Sequence, residues 1–110
     1  MSLTITLITN HCDRSDEVYS VNIPHNLDKM AKAASIYKHL WEPETIGVTY
    51  AHQLIDPLIE AIKVMAYLPD LFRKFDSSNG WGSYDHFLRW LLRLLEACVE
   101  NREATIRINR

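Results

Sequence analysis

Residues 3–9 read Leu-Thr-Ile-Thr-Leu-Ile-Thr, with apolar and threonine positions in alternation. A period of two puts Leu3, Ile5 and Leu7 on one face of a half-buried strand. Asn10 to Asp16 is polar and reads as a hairpin connection. Glu17 to Ile23 alternates again, with Tyr19, Val21 and Ile23 on one side. This predicts a second strand, antiparallel to the first. Pro24 has no N–H to give a ladder, so pairing should weaken there.

From Asn26 the period changes to that of a helix. Leu27, Met30, Ala31, Ala34, Tyr37 and Trp41 fall on one stripe. They predict one helix, capped by Asn26, with Asp28 in its first turn, running to Trp41 and ended by Glu42-Pro43. Thr45 to Thr49, with Gly47, reads as a connection. Ala51, Leu54, Ile55, Leu58, Ile59, Ile62, Met65 and Ala66 form a strong second stripe. Asp56-Pro57 interrupts it, and the sequence leaves open whether a new helix starts there or one helix bends. Pro69-Asp70 opens a short helix, Leu71 to Phe75. Ser83 is a natural cap for a long helix from Tyr84 to about Asn101, with Asp85 suiting its N-terminal end.

Phe87, Leu88, Leu91, Leu92, Leu95, Cys98 and Val99 mark the expected buried side of that helix. Trp90 and Leu94 widen its apolar arc, which suits a central position or a subunit contact. Ala104 to Asn109 alternates once more, with Ile106 and Ile108 on one face, and an edge of the N-terminal hairpin is its expected partner. The order β-β-α-α-α-α-β predicts an α+β fold over 1–110 as a single domain. Its sheet is small, antiparallel and three-stranded, made of the N-terminal hairpin plus the C-terminal strand and covered by a helical layer.

Composition adds limits. A chain of 110 residues with 47% hydrophobic positions can bury a core without a metal or disulfide. A formal charge of −2, with no basic stripe, argues against duplex nucleic acid as a partner. The two cysteines, Cys12 and Cys98, match no CxxC pattern, which fits a reduced, cytoplasmic setting. No signal peptide and no membrane span are expected.

The five histidines form no HxxxH or HxH pair, so no metal and no cofactor are expected. There is no phosphate loop, because Gly80-Trp81-Gly82 lacks the following lysine, and no GxSxG elbow. Carboxylates are scattered. The expectation is therefore a protein without catalytic activity; a hydrolase using His25 as base is the weaker alternative. What remains is a set of polar and aromatic residues at the ends of elements: His25, Asn26, Trp41, Asn79, Trp81, Tyr84, Arg107 and Arg110. Aromatic faces can stack a planar ring, and arginines or helix N-terminal amides can hold an anion. Each also has a bland reading: Asn26 as a cap, Trp41 as core, His25 as bonded to backbone, and Arg107, between Ile106 and Ile108, on a solvated face.

Three segments together resemble a known family. They are Asn22-Ile23-Pro24-His25-Asn26-Leu27 with Met30-Ala31, then Ile36-Tyr37 with Leu40-Trp41-Glu42-Pro43-Glu44, then Asn79-Gly80-Trp81-Gly82-Ser83-Tyr84. The pattern is similar to that of a family of small proteins from phage, prophage and bacterial genomes. It reads roughly N-I-T-H-N-L, L-W-x-P-E and N-G-W-G-x-Y, with a C-terminal strand ending in Arg. This chain has Pro24 where the pattern has Thr, so a hydroxyl and a backbone donor beside His25 are missing. The resemblance implies a phage context and directs attention to His25, Asn26, Trp41, Asn79, Trp81 and Tyr84.

The resulting expectation is a binding protein for a small nucleotide-like ligand, one that in a phage setting sequesters a host signal. The alternative is a protein-interaction or structural accessory that uses the helical face around Trp90 for a homo-oligomer or a partner. A homo-oligomer is also suggested by the uncovered sheet face, although its Thr, Ser, Asn and Arg residues suit solvent equally.

Overall fold

The computed structural model describes residues 2–11, 13–76 and 82–110. The apolar alternation at both termini becomes one antiparallel sheet. Strands β1 (Ser2–His11) and β2 (Arg14–Pro24) form the hairpin. Strand β3 (Thr105–Asn109) pairs with the other edge of β1, giving the order β2-β1-β3. Leu3 lies opposite Ile23, Ile5 opposite Val21 and Ile108, and Leu7 opposite Tyr19 and Ile106. These apolar rows make the inner face, where Leu3, Ile5, Leu7 and Ile23 are fully buried.

The outer face is a polar lattice. Asn22 Nδ2 donates to Thr4 Oγ1 at 3.0 Å, and the Thr6 and Ser20 hydroxyls lie 3.3 Å apart. The register shifts after Leu7, so that Ile8 faces Glu17 and Val18 is the extra residue. A bulge leaves such a residue unpaired, which accounts for an exposed valine on a strand.

Among the described residues, five α-helices form the second layer: α1 (Asp28–Ala33), α2 (Tyr37–Trp41), α3 (His52–Tyr67), α4 (Pro69–Arg73) and α5 (Tyr84–Glu100). Short 3-10 turns at His25–Leu27 and Pro43–Ile46 precede α1 and follow α2.

The single helix expected to end at Trp41 is two. Ser35 takes φ 61°, the left-handed region, directly after α1. Its N–H donates to Lys32 O and the next N–H, of Ile36, donates to Ala31 O. This pair of hydrogen bonds closes the last carbonyls of α1 as a Schellman motif, and Ala31 and Ile36, the positions whose side chains usually meet in that motif, are both fully buried. Asn26 is not the cap of this helix. It lies within the 3-10 turn, and α1 begins after Leu27 with no side-chain cap bond.

Pro57, in contrast, sits inside α3, which runs through it unbroken. The cap at Ser83 is formed as the sequence implies, with His86 N–H donating to Ser83 Oγ at 3.3 Å. The buried stripe of α5 is Tyr84, Phe87, Leu91, Leu94, Ala97 and Cys98. Leu94, expected to widen the apolar arc, is fully buried, whereas Leu92 and Val99 lie off the stripe and are exposed.

Segment 48–51 ties the layers together. Gln53 Oε1 accepts from the N–H groups of Thr49 and Tyr50, and Ile106 N–H donates to Thr49 O. Register places Pro24 opposite Ser2, and Asn109 opposite Thr4. The turn after β2 and the residue after β3 therefore leave the sheet at one end.

Candidate functional site

That end gathers several of the residues singled out by sequence. His25 opens the turn after β2. Its ring meets Trp41, the last residue of α2, with centroids 6.4 Å apart and planes tilted by 58°. Trp41 is nearly buried and stacks on Tyr37 at 5.2 Å. Arg110, just past β3, donates to the Trp41 carbonyl and pairs with Glu44 at 3.0 Å. The Glu44 carboxyl lies below its ordinary range, chiefly through a hydrogen bond to its own backbone, against a small desolvation and with help from Arg110.

Asn26 and Leu27 lie against Gly82. At φ +77° a Cβ on Gly82 would stand 2.9 Å from both Asn26 Oδ1 and Leu27 Cγ. Glycine is required twice over, by conformation and by space. His25, Asn26, Trp41 and Arg110 thus converge at one sheet end, with Gly82 beside Asn26. Next to them, Pro43, Glu44, Val48, Ile106 and Arg110 line a hollow of about 500 Å³.

Tyr84 and Arg107 are elsewhere. Tyr84 is buried, its hydroxyl donates to Met65 O at 2.7 Å, and its N–H donates to Asp76 Oδ1 at 2.7 Å. It holds α5 against α3 and the segment after α4. Arg107 lies opposite Thr6 on the outer face and pairs with Glu17. The parity of a strand separates it from Arg110, three residues on. Asn79 and Trp81 lie outside the described residues.

Sequence reasoning passed over Tyr37 as a stripe residue and left Glu44 as a mere neighbour of Trp41. The L-W-x-P-E segment contained the signal for Glu44; no local signal marks Tyr37 as the plate behind Trp41.

The chemistry of the group is that of recognition. Among the described residues, His25 Nε2 is buried with no hydrogen-bond partner. A buried ring nitrogen without such a partner is uncommon. Cys98 is no nucleophile, since burial in the core pushes its thiol up to about 12. Among the described residues no cluster of His, Cys, Asp or Glu could hold a metal, and no helix is long and apolar enough to cross a membrane. The chain matches no protein-family model, no curated protein and no solved structure.

Proposed function

We propose that the protein binds a small nucleotide-like molecule, without catalysis, at the sheet end built by His25, Asn26, Trp41 and Arg110. The observation that carries this reading is the buried Nε2 of His25, unpartnered among the described residues, against the Trp41 ring. A base edge can complete the hydrogen bonding of that nitrogen, and the Arg110 guanidinium, half exposed beside Glu44, can meet an anionic group. Asn79 and Trp81 enter the proposal from sequence alone. In the phage context implied by the family resemblance, such a protein removes a nucleotide-like signal from its host.

The test is a calorimetric and thermal-shift panel of cyclic and linear nucleotides. A true ligand at 100 times its Kd adds about 2.7 kcal/mol to stability. Arg110→Ala and His25→Ala are expected to lose most of that gain. Flat responses across the panel, with tryptophan fluorescence unchanged, overturn the reading.

A second reading is association through the helical layer, with itself or a partner. Leu92 and Val99 on α5, 47% and 52% exposed, favour it. Sedimentation of wild type and Trp90→Glu decides: a monomer in both, with no partner retained by either, removes this reading.

A further inference from the structure

The corner between α1 and α2 carries another hollow, which Arg110 does not line. Lys32, Ser35, Tyr37, Lys38, His39 and Ile46 line about 450 Å³ there. Several independent features meet in it. Among the described residues, neither Lys32 nor Lys38 has a carboxylate partner. The Lys32 ammonium stands 4.6 Å from the centre of the Tyr37 ring. His39 Nδ1 is buried with no partner among the described residues. Burial also lowers the pKa of His39, so near neutral pH the ring is uncharged and has an N–H to give. Ser35 is the one non-glycine residue at positive φ among those described. Glycine would satisfy the backbone there; serine adds a hydroxyl to the wall. Asp56 and Glu60 line an adjoining hollow that shares Ser35 and His39.

We propose that this hollow binds a small organic phosphate monoester. The phosphate lies between the ammoniums of Lys32 and Lys38, with Ser35 and His39 as hydrogen-bond donors, and the organic body rests on Ile46 and the edge of the Tyr37 ring, whose faces meet Trp41 and the Lys32 ammonium. A phosphate monoester carries about −1.5 to −2 charges near pH 7, which two ammoniums match. Lysine serves phosphate as a compact point charge, whereas a planar carboxylate favours the fork of arginine, and no arginine lines this wall. The apolar contribution of Tyr37 and Ile46 gives the body of the ligand a surface that inorganic phosphate cannot use. The hollow touches the sheet end through Tyr37, which backs Trp41, but it shares no lining residue with the hollow beside Arg110, and the proposal does not depend on the reading given above.

The probe is adenosine monophosphate, titrated calorimetrically at low salt against the intact chain, with adenosine as the uncharged control. Lys32 and Lys38 are exposed, so their alanine variants keep the core untouched. Lys32→Ala and Lys38→Ala are each expected to weaken binding roughly tenfold, and adenosine to bind at least about tenfold more weakly than the phosphate. Lys38→Arg should retain most of the affinity, and Lys63→Ala should leave it unchanged. Equal binding of adenosine and its monophosphate overturns the proposal, as does absence of binding by both. Binding that is lost in Arg110→Ala but intact in Lys32→Ala and Lys38→Ala assigns the phosphate to the sheet end and overturns it equally. The two proposals therefore fail separately.

Discussion

The α1–α2 corner and the middle of α3 answer the same question in opposite ways. Around Ser35 the sequence carries no breaker, yet the helix stops. At Pro57 it carries the strongest breaker there is, yet the helix continues. What differs is where the neighbouring apolar residues must go. On an unbroken helix of 3.6 residues per turn, Ile36 and Leu40 would sit roughly a quarter turn or more off the stripe of Met30, Ala34, Tyr37 and Trp41. Breaking at Ser35 lets Ile36 and Leu40 both become fully buried without losing Met30 or Trp41 from the core. In α3 the stripe Leu54, Leu58, Ala61, Met65 already lies on one face on both sides of Pro57, and each member is essentially buried. A proline in a helix interior costs about 3 kcal/mol, and each fully buried Leu or Met contributes about 1.5–3 kcal/mol. Continuity wins at Pro57 because the alternative would misplace more than one of these side chains.

The largest expected effects come from the residues that decide each case. Leu58→Ala and Ile36→Ala should each cost about 3 kcal/mol, as lost transfer energy plus a cavity, read from urea unfolding. If Ile36→Ala costs well under 1 kcal/mol, burial is not what bends the chain at Ser35, and the comparison collapses. Gly82→Ala should cost about as much, near 3 kcal/mol, because its positive φ is joined by a clash with Leu27 and Asn26. At Gly47 the φ is similar but nothing lies within 4 Å, so Gly47→Ala should cost only about 1 kcal/mol. The pair separates strain of the backbone from crowding.

Smaller effects should have the opposite sign. Ser35→Gly should stabilise by about 1 kcal/mol, since it relieves the left-handed penalty while keeping both Schellman bonds. Pro57→Ala should stabilise by about 2 kcal/mol, since it restores a donor toward Gln53 O and the interior cost is only partly offset by the entropy that proline removes from the unfolded chain. If Pro57→Ala destabilises instead, the proline is fitted to its place and is not merely tolerated.

The smallest effect concerns pH at the corner. Burial holds the pKa of His39 below 6.5. Below about 6.5 the unfolded chain takes up this proton first, so the stability contributed by neutral His39 is present above that pH and is lost as pH falls through the folded value. His39→Gln should lessen the drop in stability between about pH 7 and about pH 5, measured by paired urea midpoints.

Legibility in the sequence followed the range of the forces involved. Strand alternation in 3–9, 17–23 and 104–109 depends only on which face meets the core, and all three strands were visible, as was the capping of α5 by Ser83. The convergence of His25, Trp41 and Arg110 was visible only as three element ends without a shared location. Arg107 looked equivalent to Arg110 until the strand was given a direction and a covered face. Tyr84 looked like a ligand contact beside Gly82, but its hydroxyl is taken up by Met65 O in the core.

By itself the sequence determined that a hairpin, a run of helices and a last strand follow in that order, the inner and outer faces of the sheet and the absence of familiar catalytic motifs, because each rests on local period or composition. The tertiary structure alone decided that β1 is the central strand, that the first helix breaks at Ser35 while α3 passes Pro57, and that Arg110 reaches the Trp41 carbonyl. Those outcomes depend on which residues, distant in the chain, compete for the same buried space.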